Sequence, residues 1–591
     1  MKTSCRSLLL LMGLSMFLLI SGEDCIAWDE TTHRGLTASA ADFSVLHESK
    51  GDYLKYIGIE EGLHHKLNWH KRKKVKGWLE EGAAYEDDNP RFNNHFHNPL
   101  VAWGSAGLDD WCLLVHVSGE SALLWAQDDD MQENTSEGDW SWRTIRDHYY
   151  DALTASTDAE RQSSFARTFK GLGHQMHLVQ DMAVPAHVRN DAHPLDAFVH
   201  KNRYGGLFFE SWAGKNNSIV NALARNASRP AFGLRTRVSY GGSALAPITE
   251  LTDRNVYNGS NPPGIHSLSA GLGEYTNANF FSDDTLFAAE NSQPGQNHYF
   301  PYPRKEDTNI QAFIDQELLP ETDSQSGDTT FHISKVTENN EKEIEHFVQP
   351  TYFTEYLTPP FPLYFRSYYL SERCHEDAAA FLVPRAVGYS TRILDYFFRG
   401  DMDLKMDEEN SASWKIENRS SEAMDGCFEI YYDNKTGKRK KLWESDLSIA
   451  PGERSDQEVD FDVPEDARAP GKYMLVFRGS LGCEDHAVAG VVCYRKTLCQ
   501  YIQEKWLLSV LYNGKERIVE PYLLFETKKG NRVLHSWQTE GEYDDTPPPD
   551  WCNMSLSGIS RVVPLNDHFD KPHPDYNPGS PLFHRVICCT E

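Results

Sequence analysis

The stretch Gly173-His174-Gln175-Met176-His177-Leu178-Val179-Gln180-Asp181-Met182-Ala183-Val184-Pro185-Ala186-His187-Val188-Arg189-Asn190 decides how the rest of the chain is read. His177 and Asp181 are four residues apart, so on a helix their side chains leave one face a turn apart. Pro185 has no amide hydrogen and collides with the preceding turn, which predicts a helix end near Val184. His187 then follows on an irregular segment that can fold back toward the same face. Two imidazoles and a carboxylate converging on one point are the donors that zinc takes in tetrahedral or five-coordinate sites. A lone His-x3-Asp pair is common on ordinary surface helices, so the weight falls on the surrounding sequence.

Upstream, Gly77 to Pro99 reads as a helix ending near Gly82, then an acidic cluster, Glu86-Asp87-Asp88, then His95-Phe96-His97. Either Asp87 or Asp88 can share a metal with His95. Further back is Trp28-Asp29-Glu30-Thr31-Thr32-His33, where Thr31 or Thr32 can cap a helix beginning near His33. A chain starting at Trp28 would offer its free amine and the Trp28 carbonyl beside His33. The basic run Lys71 to Lys76 reads as a solvated helix face. Residues 100–170 read as helices, with apolar residues near helical spacing in Ser141–Leu153 and Ala159–Phe169. Downstream, Asp191-Ala192-His193, Asp196, His200 and Phe208-Phe209-Glu210-Ser211-Trp212 supply more imidazole and carboxylate groups.

The chain of 591 residues has room for several domains, and its 40% hydrophobic content can bury ordinary cores. Its formal net charge of -29 opposes polyanions, so bulk affinity for nucleic acid is not expected. Lys2 and Arg6 precede an almost continuously apolar run, Leu8 to Ile20, which fits a signal peptide better than a membrane span. Cys25-Ile26-Ala27 presents small residues to a signal peptidase, which predicts cleavage after Ala27 and a secreted or periplasmic protein. No later stretch is apolar enough to span a membrane. Cleavage would leave nine of the eleven cysteines. Seven of these (Cys427, Cys483, Cys493, Cys499, Cys552, Cys588 and Cys589) lie beyond residue 400, which in an exported chain predicts disulfides there.

The order Trp-His, Asp-His, His-x3-Asp-x5-His, then a later His and Glu resembles the zinc-dependent phospholipase C and S1/P1 nuclease superfamily. Those proteins are largely helical and hold a trinuclear zinc site. The resemblance implies Trp28, His33, Asp87, His95, His177, Asp181, His187 and Glu210 as ligands. Asp181 would bridge two zincs, with Asp87, His95 and His177 on one side and Trp28 and His33 on the other. The third zinc would take His187, Glu210 and a later histidine. The family places that histidine four residues before its carboxylate, where this chain has Gly206. His193 and His200 are the substitutes on offer, with an insertion explaining the gap. The motifs cover residues 28 to about 215, and the helical body is expected to run to about 400, with a polar insertion at about 300–350.

From Asp401 short strands alternate with turns such as Ala450-Pro451-Gly452-Glu453 and Ala469-Pro470-Gly471-Lys472. This predicts a β-sandwich domain over 401–497 and a β-rich, cysteine-containing region over 498–591. Asn513-Gly514 between Trp506–Tyr512 and Arg517–Phe525 is a hairpin signal. The expected architecture is therefore multidomain: a signal peptide (1–27), a mainly α-helical phospholipase C/P1 nuclease-like domain (28–400), and a β-sandwich-like C-terminal part.

The resemblance implies an exported phosphodiesterase acting on phospholipid head groups, with membrane-surface contact as a further expectation. In it Asp87 would orient or deprotonate the attacking water. Two other readings use the same residues: a P1-type nuclease acting on single-stranded nucleic acid, and a secreted adhesion or surface protein whose metal site is structural. Asn226 and Asn418 head Asn-x-Ser sequons, which matter only in a glycosylating host.

Overall fold

The computed structural model describes residues 30–590 except 89–90, 113–114, 133–134, 136–137, 192–206, 235–238, 241–242, 245–247, 260, 284–318, 323–328, 337–341, 351–367, 407–413, 462–463, 469–470, 495–497 and 545. The expected signal peptide, Trp28, His193 and His200 lie outside the described residues.

The N-terminal part is helical around one central helix. We label its main helices α1 (Glu30–Phe43), α2 (Val75–Tyr85), α3 (Trp142–Thr154), α4 (Asp158–Asp181), α5 (Pro185–Val188), α6 (Phe209–Lys215), α7 (Leu272–Asn279) and α8 (Glu372–Phe397). α4 starts with a capping box in which Thr157 and Glu160 exchange side-chain and backbone bonds. Every residue from Thr168 to Asp181 is buried, so this half of α4 is enclosed on all sides. It packs against α1, α2, α3 and α8. A helix that deep takes polar residues only where they have partners, which makes its His174, His177 and Asp181 informative.

Several local expectations are corrected. α2 runs through Gly82 to Tyr85. Gly82 is the point where α2 and α4 meet backbone to backbone, facing Gly173, with no room for a side chain on either. Pro185 opens α5 at its first position, where its missing amide costs nothing, so His187 sits on a short helix instead of an irregular segment. Thr31 and Thr32 lie within α1 instead of capping it. Arg72–Lys74 is a strand paired with Lys66–Asn68, so the basic run is exposed on a hairpin and α2 begins only at Val75. Asp109–Cys112 and Val115–Ser118 also form a hairpin within the region read as helical. Of the expected insertion, Leu319–Thr322, Thr329–Val336 and Lys342–Pro350 join Tyr368–Tyr369 in a four-stranded antiparallel sheet. Ile333, Ile344, Phe347 and Val348 bury into the helical core, which ties these strands to the body.

Beyond residue 400 the chain is mostly antiparallel sheet. Met402–Met406 and Trp414–Asn418 form a ribbon, and Met424–Asp433, Arg439–Ile449, Lys472–Leu481 and Glu484–Tyr494 form a four-stranded sheet. Leu404, Ile416, Phe428, Ile430, Leu475 and Phe477 share one core between ribbon and sheet. A six-stranded sheet follows, in which the Trp506–Tyr512 and Lys515–Glu526 hairpin turns at Asn513 (φ 50°) and Gly514 (φ 80°). Cys499–Cys588 is the disulfide among the described residues, while Cys374, Cys427, Cys483, Cys493, Cys552 and Cys589 are free thiols. Asn418 is fully buried, its amide bonded to the Glu422 and Ile449 carbonyls, so its sequon is closed to glycosylation in the folded chain.

Buried charge joins the helical body to the four-stranded sheet. Glu484 accepts from Arg146 Nε at 2.8 Å and Nη2 at 3.0 Å, from Trp142 Nε1 at 2.8 Å and from Arg399 Nη1 at 2.6 Å. Burial alone would raise the Glu484 carboxyl, but the two guanidiniums outweigh it and hold it below its usual range. No helix among the described residues is long and apolar enough to cross a membrane.

Candidate metal centre

Five pieces of the helical body bring their donors to one point. α1 carries His33, the segment leaving α2 carries Asp87 and His95, α4 carries His177 and Asp181, α5 carries His187 and α6 carries Glu210. Asp181 is central. Its Oδ1 lies 3.4 Å from His33 Nε2. Its Oδ2 lies 3.0 Å from both His95 Nδ1 and His177 Nε2, and 3.4 Å from His187 Nδ1. Asp87 Oδ1 is 3.6 Å from His95 Nδ1 and 3.5 Å from His177 Nε2. Glu210 Oε1 is 3.1 Å from His187 Nε2. Two overlapping sets, His33/His177/Asp181 and Asp87/His95/His177, each gather their ligand atoms within 4.8 Å, close enough to hold a metal ion.

The far side of each ring decides which nitrogen is the donor. His177 Nδ1 faces the Ala83 carbonyl at 2.5 Å, and His95 Nε2 faces the Glu86 carbonyl at 3.1 Å. His33 Nδ1 faces Gln180 Oε1 at 2.7 Å, and the Gln180 amide donates in turn to Thr37 Oγ1 at 2.9 Å. A carbonyl oxygen only accepts, so the ring nitrogen facing it carries the proton. The remaining nitrogens, His177 Nε2, His95 Nδ1 and His33 Nε2, are lone-pair donors aimed at the carboxylates. His177 Nε2 and His95 Nδ1 face each other at 3.2 Å. Two lone pairs so placed repel unless a cation lies between them.

The carboxylates make the same demand. Both oxygens of Asp87 and both of Asp181 are buried without an aligned hydrogen-bond donor. Burial, and then the charges of Asp181 and Glu210, push the Asp87 carboxyl well above its usual range. Burial would do the same to Asp181, but His177 and His187 outweigh it and hold Asp181 well below. Burial lowers His177 to about 4, which keeps it neutral, as a metal ligand must be. His187 is pushed up to about 9: burial opposes its charge, but Asp181 and Glu210 outweigh that. Clustered carboxylates and imidazoles in a buried site fit a divalent cation.

Seven of the sequence-derived site residues thus come together: His33, Asp87, His95, His177, Asp181, His187 and Glu210. Of the two adjacent acids, Asp87 is the one that faces His95 and His177. His97 belongs to a separate buried network, with Nδ1 at 2.8 Å from Ser121 Oγ and Nε2 at 3.1 Å from Asp253 Oδ2. Its backbone amide holds the His187 carbonyl at 2.9 Å, and the Phe96 ring stacks on the His187 ring at 4.5 Å. Sequence reading missed Gln180, which the i, i+3 spacing from His177 could have suggested. It also missed His174 and Glu86, whose side chains meet behind the ligands at 2.5 Å. A further group, Cys427, Glu429 and Glu444, already has its cation, since Lys441 Nζ bonds both glutamates at 2.6 Å.

A shallow crevice opens beside Glu210, walled by Pro185, Phe208, Phe209, Phe281 and Leu370, with Asp191 and Asp283 among its polar residues. No family model matches the chain, and no curated protein matches it.

Proposed function

We propose that this chain is an exported, zinc-dependent phosphoric ester hydrolase of the phospholipase C type. The observation that carries the proposal is the pair of opposed lone-pair nitrogens, His95 Nδ1 and His177 Nε2, set against the carboxylates of Asp87 and Asp181. The order of these donors along the chain, which resembles the zinc-dependent phospholipase C and S1/P1 nuclease superfamily, turns a cation site into a proposed hydrolase. His33, Asp87, His95, His177 and Asp181 would hold two of the expected zincs, and His187 and Glu210 would contribute to a third. Zinc bound there supplies positive charge that acidifies water and stabilises negative charge on phosphoryl oxygens. Asp181 turns one oxygen toward His33 and the other toward His95 and His177, so a single carboxylate serves both donor sets. Asp87, whose Oδ1 lies 3.6 Å from His95 Nδ1 and 3.5 Å from His177 Nε2, is the carboxylate assigned to orienting the attacking water. The aromatic wall beside Glu210 and the charge of -29 favour a lipid over a polynucleotide substrate.

The test is elemental analysis of protein from an export host, with its N-terminus sequenced, followed by hydrolysis assays on phospholipids and on single-stranded nucleic acid. The proposal expects close to three zincs per chain, a first residue Trp28, and phospholipid cleavage. His177→Ala and Asp181→Asn should each lose zinc and activity together. Folded protein that never met a chelator and carries no metal would overturn the proposal. Cleavage of nucleic acid alone would move it to the nuclease branch. Metal without any hydrolysis would support a structural site.

A further inference from the structure

We infer that Glu86 is a positioning residue of this centre, a buried hub that sets Asp87 and His95 against α4; the inference rests on the metal-centre reading above. Glu86 has no exposed surface and sits at the end of α2, immediately before Asp87. Its carboxylate takes directed donors from three separate places. Oε2 accepts from Arg91 Nε at 2.8 Å and faces His174 Nδ1 at 2.5 Å, and Oε1 accepts from Trp125 Nε1 at 2.8 Å. The Glu86 main-chain carbonyl accepts from His95 Nε2, the bond that leaves His95 Nδ1 as the ligand atom.

Each partner leads to a ligand. Arg91 lies between Asp87 and His95 in the chain and also reaches Gln132 Oε1 at 2.9 Å and the Gly138 carbonyl at 3.0 Å, so the segment carrying both ligands is clamped at its middle. His174 stands one turn before His177 on α4 and stacks on Trp140 at 5.0 Å. Glu86 thus ties the 87–95 segment to the helix that supplies His177 and Asp181. It is not itself a ligand, because its carboxylate turns toward these donors and stays 3.9 Å from the protonated nitrogen of His95.

Glu86→Gln is the informative change. With its oxygen kept opposite Arg91 and His174, the new amide places N–H against the Trp125 N–H, and turning it over sets N–H against Arg91 and His174 instead. Either way a donor meets a donor, and the shell around Asp87 and His95 loosens. The experiment uses the full chain stripped by a chelator and titrated with Zn²⁺ against a chromophoric competitor, and with Co²⁺ followed by its d–d absorption. Loss of such an orienting partner lowers metal affinity about 10–100-fold. Glu86→Gln should show that loss and an altered cobalt spectrum while keeping wild-type far-UV circular dichroism.

Glu81→Gln is the control. Glu81 is as buried and lies on the same helix, but its ion pair is with Lys73, away from the ligands. A carboxylate that only supports the fold would leave metal affinity alone in both variants. Wild-type affinity in Glu86→Gln, or an equal loss in Glu81→Gln, would overturn the inference. If Glu86→Gln does not fold, Trp125→Phe, which deletes one donor, decides: weaker metal binding supports the hub and unchanged binding refutes it. A wild-type chain that binds neither ion would overturn the metal-centre reading and this inference with it. Wild-type binding with an unaffected Glu86→Gln would overturn the inference alone.

Discussion

Gly82→Ala should destabilise the protein and loosen the proposed metal centre at once, although helix propensity alone predicts the opposite. A Cβ on Gly82 would stand 2.8 Å from the Lys170 carbonyl carbon and 3.1 Å from Gly173 Cα, and nearer still to the Lys170 oxygen. The obstacle is backbone on a buried helix, so no side-chain rotation relieves it. α2 and α4 would have to part by about 1.5 Å to restore ordinary contact, and even a gap of about 0.5–1 Å forfeits a quarter to a half of each dispersion contact along the interface. Ala for Gly in a helix gains about 1 kcal/mol, whereas overpacking of this kind costs about 1–3 kcal/mol and occasionally more. With backbone opposing backbone the cost falls at the upper end, for a net loss of about 2 kcal/mol. The same displacement lengthens the 2.5 Å contact between His177 Nδ1 and the Ala83 carbonyl that orients His177. Calorimetric unfolding and zinc content, measured on one preparation, are the assay. A melting temperature lower by about 2–3 °C, with reduced bound metal, is expected. An alanine variant as stable as wild type, with full metal content, would refute the close-crossing argument.

Burial lowers His375 to about 4, while its Nε2 bonds the Leu207 carbonyl at 2.7 Å. The unfolded chain therefore takes up this proton first, and stability should be lost as pH falls from about 6.5 to 4, with no effect above and a plateau below, on the order of 3 kcal/mol in all. Denaturation curves across that window should be flatter for His375→Gln than for wild type. Reducing Cys499–Cys588, which closes 89 residues, should weaken the C-terminal six-stranded sheet by up to about 4.6 kcal/mol and leave zinc content unchanged. Coupled loss of metal would contradict the separation of the two regions. Arg146→Met removes one partner of buried Glu484 and should cost about 3–5 kcal/mol, seen as a lower denaturant midpoint. A shift under about 1 kcal/mol would show that Arg399 alone satisfies Glu484.

Local rules carried far where the information is local. The Asn513-Gly514 hairpin, the change from helix to strand near residue 400 and the i, i+4 spacing of His177 and Asp181 all depend on neighbours within a few positions, and the structure holds each of them. Local rules failed where a distant partner decided. Gly82 reads as a helix end until Gly173 is placed against it, and the polar stretch beyond residue 318 reads as an insertion until Ile333 and Phe347 are seen in the helical core. Pro185 stops one helix and starts the next, and spacing alone cannot separate those roles.

At the centre the division is similar. The sequence by itself determined the kinds of donor and their order: imidazoles and carboxylates at His33, Asp87, His95, His177, Asp181, His187 and Glu210. Only the tertiary structure decided that Asp87 faces inward, that His95 turns Nδ1 and His177 turns Nε2 toward the carboxylates, and that Glu86 stands against His174 and Arg91. The reason is physical. Donor type is a property of one side chain, whereas tautomer and orientation are set by whichever carbonyl or cation stands behind it, and for His177 that partner is Ala83, 94 residues away along the chain.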